Sequence, residues 1–139
     1  MSLRRTLYNT YTAPIRWWHR HGFGVQSPSD YELVRDVLFE PLSYYAYQDQ
    51  GIDTKQSQQL YRIRLWRPHA IVIERAVDYE DTARTATDQT TVVVEHITGC
   101  NETLWQQILT DPRARVTFDM KDRGLVLFDK KRIKQNYIL

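Results

Sequence analysis

The sequence is poor in cysteine and in long apolar runs. Its single cysteine, Cys100, cannot form an internal disulfide, so cysteine usage does not restrict the redox compartment. No apolar run approaches the roughly 20 residues that a membrane-spanning helix needs. The first residues include arginines but lack the continuous apolar stretch of a signal peptide. We therefore expect a cytoplasmic protein without a membrane span.

An excess of charge of one sign is also missing. The net charge is +2, which by itself indicates neither a nucleic-acid partner nor a membrane surface. A hydrophobic content of 42% over 139 residues is enough for one core, so we predict a single domain over residues 1–139. Residues 1–67 are predicted to be its helical N-terminal part, and residues 68–139 are predicted to hold the sheet.

Helix signals dominate the first half of the chain. The pattern predicts helices over residues 3–20, 27–39 and 53–66. Ser27 before a proline, and Asp53 with Gln56 three residues later, are N-terminal capping signals. Each of the last two helices is followed by a proline that blocks its continuation.

Strand signals dominate the second half. Ala70–Glu74 and Thr91–Glu95 are apolar runs typical of parallel strands buried on both faces. Asn101 is predicted to cap a short helix that ends before Pro112. Val116–Met120 is predicted as a strand with one buried and one solvent-exposed face. After a turn at 121–124, Leu125–Phe128 is predicted as its return strand, and Asn136–Leu139 as a short last strand. The predicted fold class is α/β with a small mixed sheet of about four to five strands.

Glycine is missing at one informative position. The charged segment after Ile73 contains none, although the turn after the first strand of an open α/β sheet is where a nucleotide would be held. Only the thirteen residues Val77–Gln89 lie between the turn after the first apolar strand and the start of the second. A parallel crossover needs a dozen or more residues, and a complete βαβ unit needs about thirty. The segment therefore has room for one short crossover and for no further strand.

Two parts of the chain resemble a bacterial family of class I S-adenosylmethionine-dependent methyltransferase-like proteins. The N-terminal likeness lies in Arg20–Pro28 and Tyr44–Tyr47, and the C-terminal likeness lies in Val92–Ile97, in Asp111–Arg113 and in the closing hairpin. The resemblance covers roughly residues 15–76 and 90–139. It implies a truncated Rossmann-like methyltransferase fold.

The resemblance also implies where a cofactor would bind. Glu74 matches the acid that ends the family's first strand, whereas Ala76 stands where the first glycine of the cofactor loop belongs. Glycine is needed there because the backbone approaches the cofactor closely. Together with the missing strands, this substitution indicates a shortened relative that has lost cofactor binding. We expect a non-catalytic protein without a cofactor.

A remnant cleft is the first candidate site. Glu74, Glu95 and His96 lie at the carboxyl ends of the predicted parallel strands, and His21 lies in the N-terminal glycine loop. These residues are candidates for ligand binding, with an enzyme that reuses the cleft as the alternative function. A metal ion would need three or more ligands, so no metal site is predicted. A solvated strand end that keeps polar residues is the simpler interpretation.

An arginine and aromatic arm is the second candidate site. Its members precede the first acidic residue of the chain: Arg4, Arg5, Arg16, Trp17, Trp18 and Arg20. Such residues can follow phosphates and stack on bases, or lie at an anionic membrane surface. Lys130 and its basic neighbours could extend that surface. The simpler interpretation is an amphipathic helix with buried aromatic residues and solvated arginines.

The predicted partner is another protein molecule. Loss of strands would leave Ala70–Glu74 near an edge of the sheet, and an apolar edge strand must be covered or paired. The chain is also rich in aromatic residues, which dominate protein interfaces as well as cores. We expect a homodimer or another protein complex, or cover by the N-terminal helices.

Overall fold

The computed structural model describes residues 10, 12–16, 28–40, 47 and 50–139. The chain divides into two compact units. The sheet unit consists of Met1–Trp17 and His69–Leu139, and the helical unit is Trp18–Pro68. The expectation of one domain over residues 1–139 stays a prediction.

The first helix of the described part of the helical unit changes from an α-helix to a π-helix. Helix α1, Pro28–Glu32, leads directly into a π-helix over Leu33–Leu38. The Phe39 amide donates to the Val34 carbonyl at 3.0 Å, which is the five-residue spacing of a π turn. The sequence pattern predicted one helix here. The structure has this helix, but its second half is a π-helix. The predicted cap, Ser27, lies outside the described residues.

Helix α2, Lys55–Trp66, holds the end of the π-helix. Its N-cap is Thr54, which forms a reciprocal capping box with Ser57, one residue later than the predicted signal. Arg62 of α2 donates from Nη2 to the Leu38 carbonyl at 2.9 Å and from Nη1 to the Tyr47 hydroxyl at 3.1 Å. The last carbonyls of a helix have no donor within the helix. Arg62 supplies such a donor to the carbonyl of Leu38.

The sheet unit is built on five strands and two described longer helices. The strands are β1 Ile71–Ile73, β2 Thr91–Glu95, β3 Val116–Asp119, β4 Arg123–Leu127 and β5 Gln135–Ile138. Their order across the sheet is β1-β2-β4-β3-β5. Helix α3 is Ala76–Arg84 and helix α4 is Glu102–Thr110. The predicted α/β class with a mixed sheet is confirmed.

The two outer pairs of strands in the sheet are parallel, and the two inner pairs are antiparallel. Strand β1 is parallel to β2, with Ile71 beside Val92, and β3 is parallel to β5, with Thr117 beside Asn136. The pairs β2–β4 and β3–β4 are antiparallel. Helix α3 forms the single crossover from β1 to β2, so the charged segment after Ile73 is a helix rather than a turn.

Both faces of the central strands are buried. Helices α3 and α4 cover one face with a cluster that includes Trp105, Ile108 and Phe128. On the other face, the rings of Phe118 and Tyr137 stack with their centroids 5.1 Å apart. The complete burial of Thr91–Val94 agrees with the prediction of a strand covered on both sides.

The prediction of a wet face on Val116–Met120 is wrong. Thr117 is fully buried, and its hydroxyl donates to Asn136 Oδ1 at 2.6 Å. Asp119 is also buried, and its carboxylate accepts from Arg16 at 3.0 Å. Polar residues alternate in this strand because they pair with other side chains, not because they face water.

Strand β1 is an edge strand, as predicted, but it is less buried than its sequence indicated. It spans three residues, and Ile71 is 42% exposed. A strand at the edge has a neighbouring strand on one side only, so its apolar residues stay more exposed to solvent than those of β2. In the part of the chain that the structure describes, no helix is both long and apolar enough to cross a membrane.

Candidate functional site

The carboxyl ends of the parallel strands β1 and β2 are joined by one side chain. Asn101 donates from Nδ2 to the Glu74 carbonyl at 3.1 Å and to the Glu95 carbonyl at 2.7 Å. Asn101 is 5% exposed, so its amide lies inside the protein between the ends of β1 and β2. This is the position at which open α/β sheets hold their ligands.

A tight loop places this amide. The backbone amides of Gly99 and Asn101 both donate to the His96 carbonyl, and His96 adopts a positive φ of 56°. Asn101 stands at the N-cap position of α4, as predicted, but its side chain makes no capping hydrogen bond. The side chain serves the two strand ends instead of the helix.

The carboxylate of Glu95 is neutralised by a neighbour across the sheet. Arg123 lies beside Glu95 in the β2–β4 register and donates from Nε to Oε1 at 2.6 Å. A second, longer hydrogen bond of 3.4 Å joins Nη2 to Oε2. Both side chains are largely buried, and this fork geometry uses both oxygens of the acid. The sequence pattern predicted Arg123 in a turn at 121–124 and therefore did not predict this pairing. In the structure, Arg123 is the first residue of β4.

The predicted cleft residues are brought together in part. The backbone carbonyls of Glu74 and Glu95 accept hydrogen bonds from the same amide, whereas the side chains of Glu74 and His96 are exposed. His21 lies outside the described residues. Among the residues that the structure describes, no three His, Cys, Asp or Glu side chains form a group that could hold a metal ion.

Arg16 of the predicted arm is buried rather than solvated. Its Nη1 donates to the Asp119 carboxylate at 3.0 Å and to the carbonyls of Asp119 and Leu139, and its Nε donates to the Thr12 hydroxyl. The predicted contact of Arg16 with a phosphate or an anionic surface stays a prediction, and in the structure its Nη1 and Nε donate within the sheet unit. The other members lie outside the described residues: Arg4, Arg5, Trp17, Trp18 and Arg20.

A second cluster of charged groups joins helices α3 and α4. The Tyr79 hydroxyl donates to Asp111 Oδ2 at 2.8 Å, and Arg113 donates to both Asp111 and Glu80. Burial, together with the hydrogen bond to Asp111, raises the pKa of Tyr79 above its ordinary value. Burial alone would raise the pKa of Asp111, but hydrogen bonds from Arg113 and Tyr79 lower it overall. The cluster is a partly exposed ion-pair network that links two helices.

Comparison with known proteins returns no relative. No protein-family model matches the sequence, and no curated protein and no solved structure matches it significantly. The fold and the site therefore define a small α/β protein with a mixed five-stranded sheet whose parallel-strand ends are joined by its own asparagine.

Proposed function

We propose that this chain is a non-catalytic, shortened methyltransferase-like protein that acts through protein–protein contacts. The proposed kinship rests on the sequence resemblance. The proposed loss of cofactor binding rests on one observation, the buried amide of Asn101 that donates to the carbonyls of Glu74 and Glu95.

The physical argument concerns the groups that a ligand would need. A cofactor at this end of the sheet is held by backbone groups of the first loop and by an acid near the strand ends. Here both strand-end carbonyls already accept hydrogen bonds from Asn101, and the Glu95 carboxylate is paired with Arg123. Helix α3 begins three residues after Ile73, and the side chains of Arg75 and Asp78 pair across its first turn. A ligand would have to break these contacts before it could bind.

Calorimetric titration with S-adenosylmethionine tests this half of the proposal. We expect no saturable heat with the folded protein. Saturable binding with a dissociation constant of about 10 μM, equivalent to roughly −7 kcal/mol, would contradict it. The demethylated product, S-adenosylhomocysteine, should give the same negative result, since it needs the same backbone groups.

A second copy of the chain is the proposed partner, and it pairs at the edge strand β1. The three residues of β1 are apolar, and Ile71 remains 42% exposed. Antiparallel pairing about Val72 would place Ile71 of each copy opposite Ile73 of the other, with no like charges facing each other. Backbone groups at an edge lack partners, so pairing satisfies them and covers Ile71. Light scattering at micromolar concentration should give the mass of a dimer, and a monomer would contradict this half.

A further inference from the structure

A basic cavity opens at the other end of the sheet, where β2 begins. It encloses about 430 Å³, which is within the size range of small-molecule pockets. Its accessible apolar surface is formed by Ala86 and Pro112. Ala83 and Phe128 lie behind this surface in the buried core and support it by packing.

Four cationic side chains line the same cavity. They are Arg84, Arg113, Arg115 and Lys130, and no acidic residue is among the described residues that line it. Arg113 is occupied, because Glu80 and Asp111 accept hydrogen bonds from its guanidinium. Arg84 has one exposed partner, Asp81, at 3.2 Å.

The remaining two cations have no carboxylate partner in the described part of the chain. Arg115 donates to the carbonyls of Pro112 and Arg132, which satisfies backbone groups but does not balance its charge. The Lys130 ammonium forms no ion pair with a described carboxylate. Two cationic groups that no described carboxylate balances thus line a concave site with an apolar wall.

We propose that this cavity binds a small phosphorylated molecule that carries an apolar group. Arg115 and Lys130, with Arg84 at the rim, would hold the phosphate, and the apolar group would lie against Ala86 and Pro112. A phosphate suits the site better than a carboxylate because it carries up to two charges and three acceptor oxygens, which matches a cavity lined by several cations. The site is independent of the proposed loss of cofactor binding, since it lies at the opposite end of β2 from Asn101.

Titration calorimetry with phenyl phosphate tests the proposal, with Lys130→Gln and Arg84→Gln as the variants. We expect saturable binding with a dissociation constant below about 1 mM, and each variant should weaken it about fivefold. Two matched controls should leave the affinity unchanged. Lys131→Gln removes an exposed lysine next to Lys130 that does not line the cavity, and Arg75→Gln breaks an exposed pair at the other end of α3.

Three results would overturn the proposal. The first is the absence of saturable phenyl phosphate binding at millimolar concentrations, and the second is equal weakening by Lys131→Gln or Arg75→Gln. The third is equal affinity for inorganic phosphate or for benzoate, because the first lacks the apolar group and the second lacks the phosphate. Tighter binding of phenyl phosphate than of both probes, lost with Lys130→Gln, supports the proposal.

Discussion

The indole of Trp105 lies directly on the backbone of Gly124. A Cβ atom built at Gly124 would come within 2.3 Å of Trp105 Cζ3, closer than any real carbon contact. Trp105 is fully buried in the core between α4 and the sheet. The glycine in β4 therefore serves close packing of a helix on a strand. It does not serve the turn, where the positive φ belongs to Lys121.

Replacement of this glycine should disturb the core. We expect Gly124→Ala to lower the free energy of unfolding by about 1–3 kcal/mol, the usual cost of overpacking. Gly99→Ala is the matched control, since its Cβ would have no neighbour closer than 3.8 Å. Urea unfolding followed by circular dichroism measures both. Equal stability of the two variants would contradict the packing role of Gly124.

Loss of the Asn101 amide should cost stability as well. Asn101→Ala leaves the carbonyls of Glu74 and Glu95 without this donor, and we expect a loss of about 1–3 kcal/mol. Asn101→Asp should cost more, because a carboxylate would face two carbonyl oxygens. Gln106→Ala, at an exposed position of α4, is the control and should change little. An Asp variant as stable as the wild type would show that the amide does not hold the strand ends.

The buried pair of Arg16 and Asp119 gives a third prediction. Their side chains are 3% and 7% exposed, so Asp119→Asn leaves an arginine charge buried without its counterion. We expect a loss of about 3–5 kcal/mol in the free energy of unfolding. The control is Asp81→Asn, which breaks a solvent-exposed pair with Arg84 and should have little effect. If both variants lose the same stability, the burial of Arg16 is not supported.

The lowered pKa of Asp111 predicts a dependence of stability on pH. An acid whose pKa is lower in the folded state stabilises the protein above its unfolded pKa, and the contribution disappears as the pH falls through the folded pKa. Stability from Asp111 should therefore be fully present at pH 6, begin to decline below about pH 4, and be lost as the pH falls through the lower folded pKa. The destabilisation caused by Asp111→Asn, measured by urea unfolding, should shrink from pH 6 to pH 3. A constant difference between wild type and variant would contradict this assignment.

Patterns that depend on neighbours in sequence predicted much of the fold. Continuous apolar residues indicated the buried strand β2, a proline marked the end of α2, and the short segment Val77–Gln89 predicted a single crossover between the parallel strands. The last strand was also predicted, and it pairs with β3. These features follow from periodicity, capping and chain length, which a single sequence records.

Features that depend on distant partners were not predictable. Thr117 and Asp119 looked solvated because their partners, Asn136 and Arg16, are far away in sequence. Asn101 looked like an ordinary helix cap, and no local pattern indicates that its amide joins two strand ends. The basic cavity combines residues from three separate segments, so the sequence offered only its isolated arginines and lysines.

Sedimentation equilibrium tests the central claim, that this protein acts through contacts made at β1. Ile71→Lys places a charge on the edge strand, whereas Ile133→Lys makes the same change at an isoleucine that is 84% exposed outside the strands. We predict that the wild type and Ile133→Lys are dimers at micromolar concentration and that Ile71→Lys is a monomer. A monomeric wild type, or a dimer of Ile71→Lys as strong as that of the wild type, would contradict the account.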